Sequence, residues 1–171
     1  PRDGEDVATL VKNADAAMYR AKERGRNSYE FYTKEMTAAA LERLALETNL
    51  QRALERQELR LFLQPQFSVR TGRLTGAEAL VRWQHPVHGL MQPERFVSLA
   101  EESGLIVPMG EWVLQQACDR ARGWLDDGLS LPRVAVNVSA MQFRRGQILD
   151  TVTRVLRDTQ LPPELLELEI T

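Results

Sequence analysis

From residue 74 onward, apolar runs of strand length alternate with segments of helical period, and that alternation constrains the fold more than any figure of composition. Residues 74–83 read as a strand. Pro93 opens a helix of about three turns, with Phe96, Val97 and Ala100 on its apolar face and Gly104 at its stop. Ile106, Met109, Val113, Ala117, Ala121, Trp124 and Leu125 mark the buried stripe of a second helix. Residues 133–139 then form a strand, 147–158 a helix, 161–163 a stop and 165–170 a last strand. Strands separated by helical crossovers pair in parallel, so the expected class is α/β, an open sheet or a (β/α) barrel. Upstream, residues 59–67 make a strand joined to 74–83 through a turn at Gly72. So short a connection makes this first pair antiparallel, because a parallel pair needs a long crossover.

Within the second strand, the run Gly76-Ala77-Glu78-Ala79-Leu80-Val81-Arg82-Trp83 sets an acid and a base into an apolar sequence. Alternation puts Glu78, Leu80 and Arg82 on one face and Ala77, Ala79 and Val81 on the other. A buried charge costs several kcal/mol, roughly, unless it is paired or metal-bound, so this pattern fits a face that opens into a polar site. It equally fits an edge strand with Glu78 and Arg82 in water. The other strands repeat the pattern: Phe62, Gln64 and Gln66 lie together, Asn137 lies opposite the valines Val134, Val136 and Val138, and Glu167 and Glu169 oppose Leu166, Leu168 and Ile170. Gln64, Glu78, Asn137 and Glu169 are therefore expected on one face, toward the C-terminal part of their strands, the end that carries chemistry in a (β/α) barrel. Two carboxylates and an amide carbonyl are hard oxygen donors, suited to Mg²⁺ or Mn²⁺. Such ions serve phosphate-ester hydrolysis, with Arg82 and Gln64 holding the phosphate oxygens. Taken singly, Asn137 also reads as a strand-end turn cap, and Glu167 and Glu169 as the wet side of a half-covered strand.

The upstream third differs in kind. Val7, Leu10, Val11, Ala14, Ala17, Met18 and Ala21 recur at helical spacing up to Gly25, and residues 28–32 alternate as a short aromatic strand. Residues 33–57 contain neither Gly nor Pro and read as an amphipathic linker helix, with a break expected near Thr48 and Asn49. That helix also suits pairing with a second copy. A net charge of -2 and a pI near 5.8 leave no basic footprint, which argues against a nucleic-acid polymer as partner while leaving room for a small anion. The one cysteine, Cys118, has no internal disulfide partner and sits at core spacing with Leu114, Ala117 and Ala121, as a structural thiol. No apolar run is long enough to span a bilayer, so a cytoplasmic location is the expectation. His85 and His88 read as loop surface, since neither has a second donor at metal-ligand spacing.

Residues 14–22, Ala-Asp-Ala-Ala-Met-Tyr-Arg-Ala-Lys, followed by Gly25-Arg26-Asn27, resemble the C-terminal end of a GGDEF (diguanylate cyclase) domain. By that resemblance Lys22 and Arg26 match residues that reach the phosphates of GTP. The signature of the family, with its metal-binding aspartate, does not occur in these residues, so no competent cyclase is expected from them. From about Leu46, the chain resembles the first half of an EAL domain, the cyclic di-GMP phosphodiesterase family. The resemblance runs through Gln64-Pro65, Glu78-Ala79-Leu80 with Arg82-Trp83, Pro93 with Phe96, residues 100–106, Asn137-Val138-Ser139 and Leu168-Glu169-Ile170-Thr171. It implies a partial TIM-type (β/α) barrel with an antiparallel first strand. It also implies Glu78, Asn137 and Glu169 as ligands of Mg²⁺ or Mn²⁺, Gln64 and Arg82 as contacts of the dinucleotide, and hydrolysis of cyclic di-GMP to pGpG. The expected organisation is a GGDEF remnant at 1–32, a linker helix at 33–57 and the N-terminal half of an EAL domain at 58–171. Further acids of the family's site would follow Thr171. The 171 residues are thus expected to be inactive alone, as a piece of a GGDEF-EAL tandem protein or a chain that exchanges elements with a second copy. A non-catalytic receptor of cyclic di-GMP is the alternative.

Overall fold

A computed structural model describes residues 4–23, 25, 27–129, 133–144 and 148–170. The chain divides into two compact units, Pro1–Asn49 and Leu50–Thr171.

The first unit opens with helix α1 (Val7–Glu23), which starts where Asp6 supplies a cap. The Asp6 carboxylate accepts the backbone N–H and the hydroxyl of Thr9, each at 2.8 Å, and these bonds hold its pKa below the usual carboxylate range. Asn13, Ala17 and Ala21 are buried, whereas Val7, Leu10, Val11 and Met18 are exposed. Of the expected apolar stripe only Ala17 and Ala21 are covered. Residues 28–32 are not a strand, contrary to the expectation from their alternation. An extended segment becomes a strand only when a neighbour supplies the ladder, and none of the described strands pairs with this one. Tyr29 and Phe31 instead meet edge to face, with ring centroids 5.5 Å apart. Helix α2 (Lys34–Ala53) is unbroken. The Thr48 hydroxyl donates to the Leu44 carbonyl at 3.0 Å, a back-bond that helices accommodate, so the expected break does not occur. Leu46 of this helix is buried, while Leu41 and Leu44 are exposed.

The second unit is built on a sheet of strands β1 (Leu59–Phe67), β2 (Leu74–His85), β3 (Gly89–Met91), β4 (Val134–Val138) and β5 (Leu166–Ile170). Their order is β1-β2-β4-β5, with β3 paired to the far end of β2. As expected, β1 and β2 are antiparallel, with Leu59 opposite Trp83 and Gln64 opposite Glu78. Gly72, at φ 65°, turns the chain between them, where a side chain would be strained. The parallel pairing of β2 with β4, and of β4 with β5, follows the expected alternation. Its crossovers are α3 (Val97–Ser103) with α4 (Ile106–Asp126), then α5 (Ala140–Arg144) with α6 (Ile148–Thr159).

Three local features depart from the sequence reading. The helix expected from Pro93 is a 3-10 turn, Pro93–Arg95, separated from α3 by Phe96 at φ -139°. Phe96 is fully buried against Trp83, 5.8 Å between ring centroids, and that packing interrupts the helix. Strand β3 and helix α5 were not expected. Nor is His85 loop surface: it ends β2 on the Trp83 side and is 3% exposed. Its Nδ1 accepts the N–H groups of Val87 and His88, each at 3.1 Å, closing the turn into β3.

The core lies on one side of the sheet. Ala79, Val134 and Val136 pack with Val113, Leu114, Ala117, Cys118 and Ala121 of α4, with Val155 of α6 and with Leu161. Leu61, Leu63 and Val81 join it partly buried. These are the odd-numbered residues of β1 and β2 and the even-numbered residues of β4, so the strands' other faces are left to the polar residues.

Candidate functional site

Register fixes which polar side chains share a face, since residues paired across a ladder point the same way. Gln64 pairs with Glu78, Glu78 with Ala135, and Asn137 with Glu169. Gln64, Glu78, Asn137 and Glu169 therefore lie on the face opposite the core, together with Arg82. The expected end needs one correction. Because β1 runs against the others, the mouth at the C-terminal ends of β2, β4 and β5 corresponds to the N-terminal part of β1; Gln64 lies level with Glu78, which is itself in the N-terminal half of β2 opposite Ala135, so neither stands at that mouth.

Contact is made at the centre of the face. The Asn137 amide donates to Glu78 Oε1 at 2.9 Å, linking β4 to β2 across 59 positions of sequence. Glu78, Asn137, Glu169 and Arg82 are all half-buried, and Gln64 is exposed. Half-burial raises the effective strength of charge interactions without the full desolvation cost of a core ion. Arg82 spends one donor on the Val81 carbonyl at 2.9 Å and lies over the Phe62 ring, 5.8 Å from guanidinium carbon to centroid. At that distance the cation is attracted by the negative face of the ring.

Glu167 does not join the group. It lies in the row of Ala135 and Glu78 but forms an ion pair with Arg133 at 3.5 Å. Among the described residues, no three His, Cys, Asp or Glu side chains converge in a way that could hold a metal ion. Glu78, Asn137 and Glu169 offer two carboxylates and an amide, hard oxygen donors that fit part of the shell of a hard divalent cation and do not fit zinc.

Phe62 was named in the sequence only as a neighbour of Gln64, although two-residue spacing already placed it on the face of Arg82. Ser139 and Gln142 carried a signal that went unread: Ser-x-x-Gln is a capping box, and here the Gln142 side-chain oxygen accepts the Ser139 N–H at 3.0 Å. In the first unit, Lys22 is exposed at the end of α1, beside a groove lined by Ala17, Met18, Asn27, Ser28 and Tyr29. Arg26 lies outside the described residues.

The family described as EAL domain matches residues 47–171. The chain belongs to the EAL-domain family. Over all of its length it is 48% identical to the bifunctional diguanylate cyclase/cyclic di-GMP phosphodiesterase MucR of Pseudomonas aeruginosa, of which it covers 25%. It is likewise 42% identical to the cyclic di-GMP phosphodiesterase PdeR of Escherichia coli, covering 26% of that protein. The chain thus spans about a quarter of the length of these relatives. Among solved structures it resembles the PaMucR phosphodiesterase in complex with c-di-GMP, with a TM-score of 0.70 and 46% identity over 72% of this chain and 50% of that one. It also resembles the FimX EAL domain from Pseudomonas aeruginosa bound to c-di-GMP, with a TM-score of 0.63 and 26% identity over 75% and 49%. In this EAL-family chain the Glu-Ala-Leu tripeptide is Glu78-Ala79-Leu80: Glu78 faces the polar group, Ala79 is buried in the core and Leu80 returns to the polar side. No helix among the described residues is long and apolar enough to cross a membrane.

Proposed function

We propose that this chain supplies the first strands of a site that hydrolyses cyclic di-GMP to linear pGpG with a divalent cation, Mg²⁺ or Mn²⁺. The observation that carries the reading is the Asn137–Glu78 hydrogen bond on a face that also presents Glu169, Arg82 and Gln64. Glu78, Asn137 and Glu169 would hold the cation through their oxygens, the amide of Asn137 using its N–H on Glu78 and leaving its carbonyl for the ion. Once bound, a divalent ion polarises the phosphodiester and generates the attacking nucleophile from water at neutral pH. Arg82 grips phosphate oxygens with the donors left free by Val81, its cation attracted to the Phe62 ring. Gln64 reaches the dinucleotide from β1 with both an N–H and a carbonyl. The core beneath keeps water off the back of the sheet and fixes the five side chains relative to one another.

The wider organisation we infer is a GGDEF remnant at 1–32, a linker helix at 33–57 and the N-terminal half of an EAL domain at 58–171, the last a partial TIM-type barrel. The full-length alignment with a bifunctional cyclase/phosphodiesterase supports it. In that reading Lys22 and Arg26 are vestiges of GTP phosphate contacts, the protein works in the cytoplasm, and the linker helix or the sheet edge pairs with a second copy.

A receptor that binds cyclic di-GMP without turnover is favoured by one observation: among the described residues, no three acidic or other metal-binding side chains converge to hold a cation. The two readings part in one experiment. The full-length protein, incubated with cyclic di-GMP and Mg²⁺ or Mn²⁺, is expected to release pGpG on chromatography. Calorimetric binding with no pGpG establishes the receptor instead, and absence of both binding and product removes the two readings together.

A further inference from the structure

We propose that Glu101 is a positioning residue for the polar face, acting through Ser139 on the exit of β4 and so on the aim of Asn137. The inference rests on reading that face as the cyclic di-GMP site. Ser139 follows Asn137 by two positions and stands just past the end of β4. It is 5% exposed and every polar atom it has is engaged. Its N–H donates to Gln142 Oε1 at 3.0 Å, its carbonyl accepts the Gln142 N–H at 3.0 Å, and its hydroxyl accepts the Met141 N–H at 3.1 Å. These bonds complete a helix cap, which uses the hydroxyl as an acceptor only. The hydroxyl's single proton goes to Glu101 Oε1 at 2.5 Å, in the range of a charge-assisted bond.

Glu101 is out of place by local rules. It lies in the last turn of α3 beside Glu102, where the helix dipole disfavours acids, and that turn has no basic residue. A carboxylate at the wrong end of a helix points to a tertiary task. The backbone holds it firmly: Gly104, at φ 78°, ends the helix and donates its N–H to the Glu101 carbonyl at 3.1 Å. From the other side α4 supports Gln142. A Cβ added at Gly110 would stand 2.1 Å from the Gln142 amide nitrogen, so only glycine lets that amide lie where it caps Ser139. Helices α3, α4 and α5 therefore converge on the residue that sets the path of β4 just after Asn137.

The test compares Glu101→Ala, Glu101→Gln, Ser139→Ala and the Glu101→Ala/Ser139→Ala double variant in the full-length protein. The readouts are kcat and KM for cyclic di-GMP, Mn²⁺ affinity by electron paramagnetic resonance, and the thermal midpoint. Glu101→Ala is expected to lower both kcat and Mn²⁺ affinity about tenfold, as for other groups that orient a metal ligand, with KM little changed. Glu101→Gln keeps an acceptor for the Ser139 proton and recovers most of the loss. The double variant is no worse than the poorer single one, since both remove one bond. Wild-type kcat and Mn²⁺ affinity in Glu101→Ala overturn the proposal, as do additive losses or a Glu101→Gln as damaged as Glu101→Ala. If Glu101→Ala does not fold, Ser139→Ala against Glu101→Gln decides by the same readouts. A wild type that binds Mn²⁺ but makes no pGpG removes the hydrolase reading while the Mn²⁺ series still judges Glu101; a wild type that binds no Mn²⁺ overturns both.

Discussion

The two faces of the sheet are built by the same strands and answer opposite demands. On one, Ala77, Ala79, Trp83, Val134, Val136 and Val138 are buried. On the other, one residue away along each strand, Glu78, Arg82, Asn137 and Glu169 stay half-buried and polar. The covered face gains from close packing and is indifferent to the identity of any one contact so long as volume is kept. The polar face gains nothing from volume and depends on which atoms meet, as in the Asn137–Glu78 bond. Substitutions on the first should therefore cost stability and spare chemistry, and substitutions on the second should do the reverse.

The largest expected effect tests the polar side of that contrast. In the full-length protein, Glu78→Gln keeps the shape and an acceptor for Asn137 but removes the charge, and under the proposed reaction should lower pGpG release by more than about a hundredfold, beyond the usual cost of losing an outer-shell partner. The thermal midpoint should hold, because the acceptor for the Asn137 amide is retained. A fall in midpoint with activity retained would reverse the roles given to the two faces. The next effect tests the covered side. Leu114 is almost fully buried among Val136, Ala117 and Cys118, and Leu114→Ala should cost about 3 kcal/mol in denaturant unfolding by lost transfer energy and a cavity. The folded full-length variant should keep the kcat expected under the proposed reaction.

The same contrast explains what was legible in the sequence. Alternation in residues 59–67, 74–83, 133–139 and 165–170 is strong because each strand separates a dry face from a wet one, and so register and the shared polar face are legible together. The long stripe of α4 was equally plain. Strand β3 has three residues, too few for alternation to register, and it exists because β2 offers Trp83, Gln84 and His85 as partners. Helix α5 has five residues and is made by its cap rather than by an apolar stripe. Residues 28–32 misled because aromatic alternation states a propensity, while a strand also needs a neighbour. His85 differs for a related reason: the strand pattern of the sequence stops at residue 83, whereas the ladder carries β2 on to residue 85.

His85 gives a smaller effect, at the seam where the covered face ends. Burial first, and the nearby His88 second, hold its pKa below the ordinary value of 6.5. The unfolded chain therefore takes up this proton at a higher pH than the folded one. Stability is fully present above the ordinary value and is lost as pH falls below it toward the folded pKa. Protonation at Nδ1 would also break the bonds from Val87 and His88. Thermal midpoints should decline between pH 7.5 and 5.5, and His85→Asn, which keeps an acceptor without the titration, should flatten that decline. An unchanged slope in the variant would place the sensitivity elsewhere.

The smallest expected effect is an absence of reaction, and it asks how dry the covered face is. Cys118 is fully buried in the core, and burial, with a smaller contribution from Asp119, pushes its thiol up to about 12. The thiolate is the nucleophile, so at pH 8 the folded protein should resist alkylation by iodoacetamide while the urea-unfolded chain reacts at the rate of a free cysteine. The linkage has a definite sign: the unfolded thiol loses its proton near its ordinary value of 9.0 and the folded one does not, so stability should fall as pH rises through 9. Alkylation of the folded protein at the unfolded rate would mean that α4 leaves the sheet readily. The polar face would then lack the rigid backing on which the aim of Glu78 and Asn137 depends.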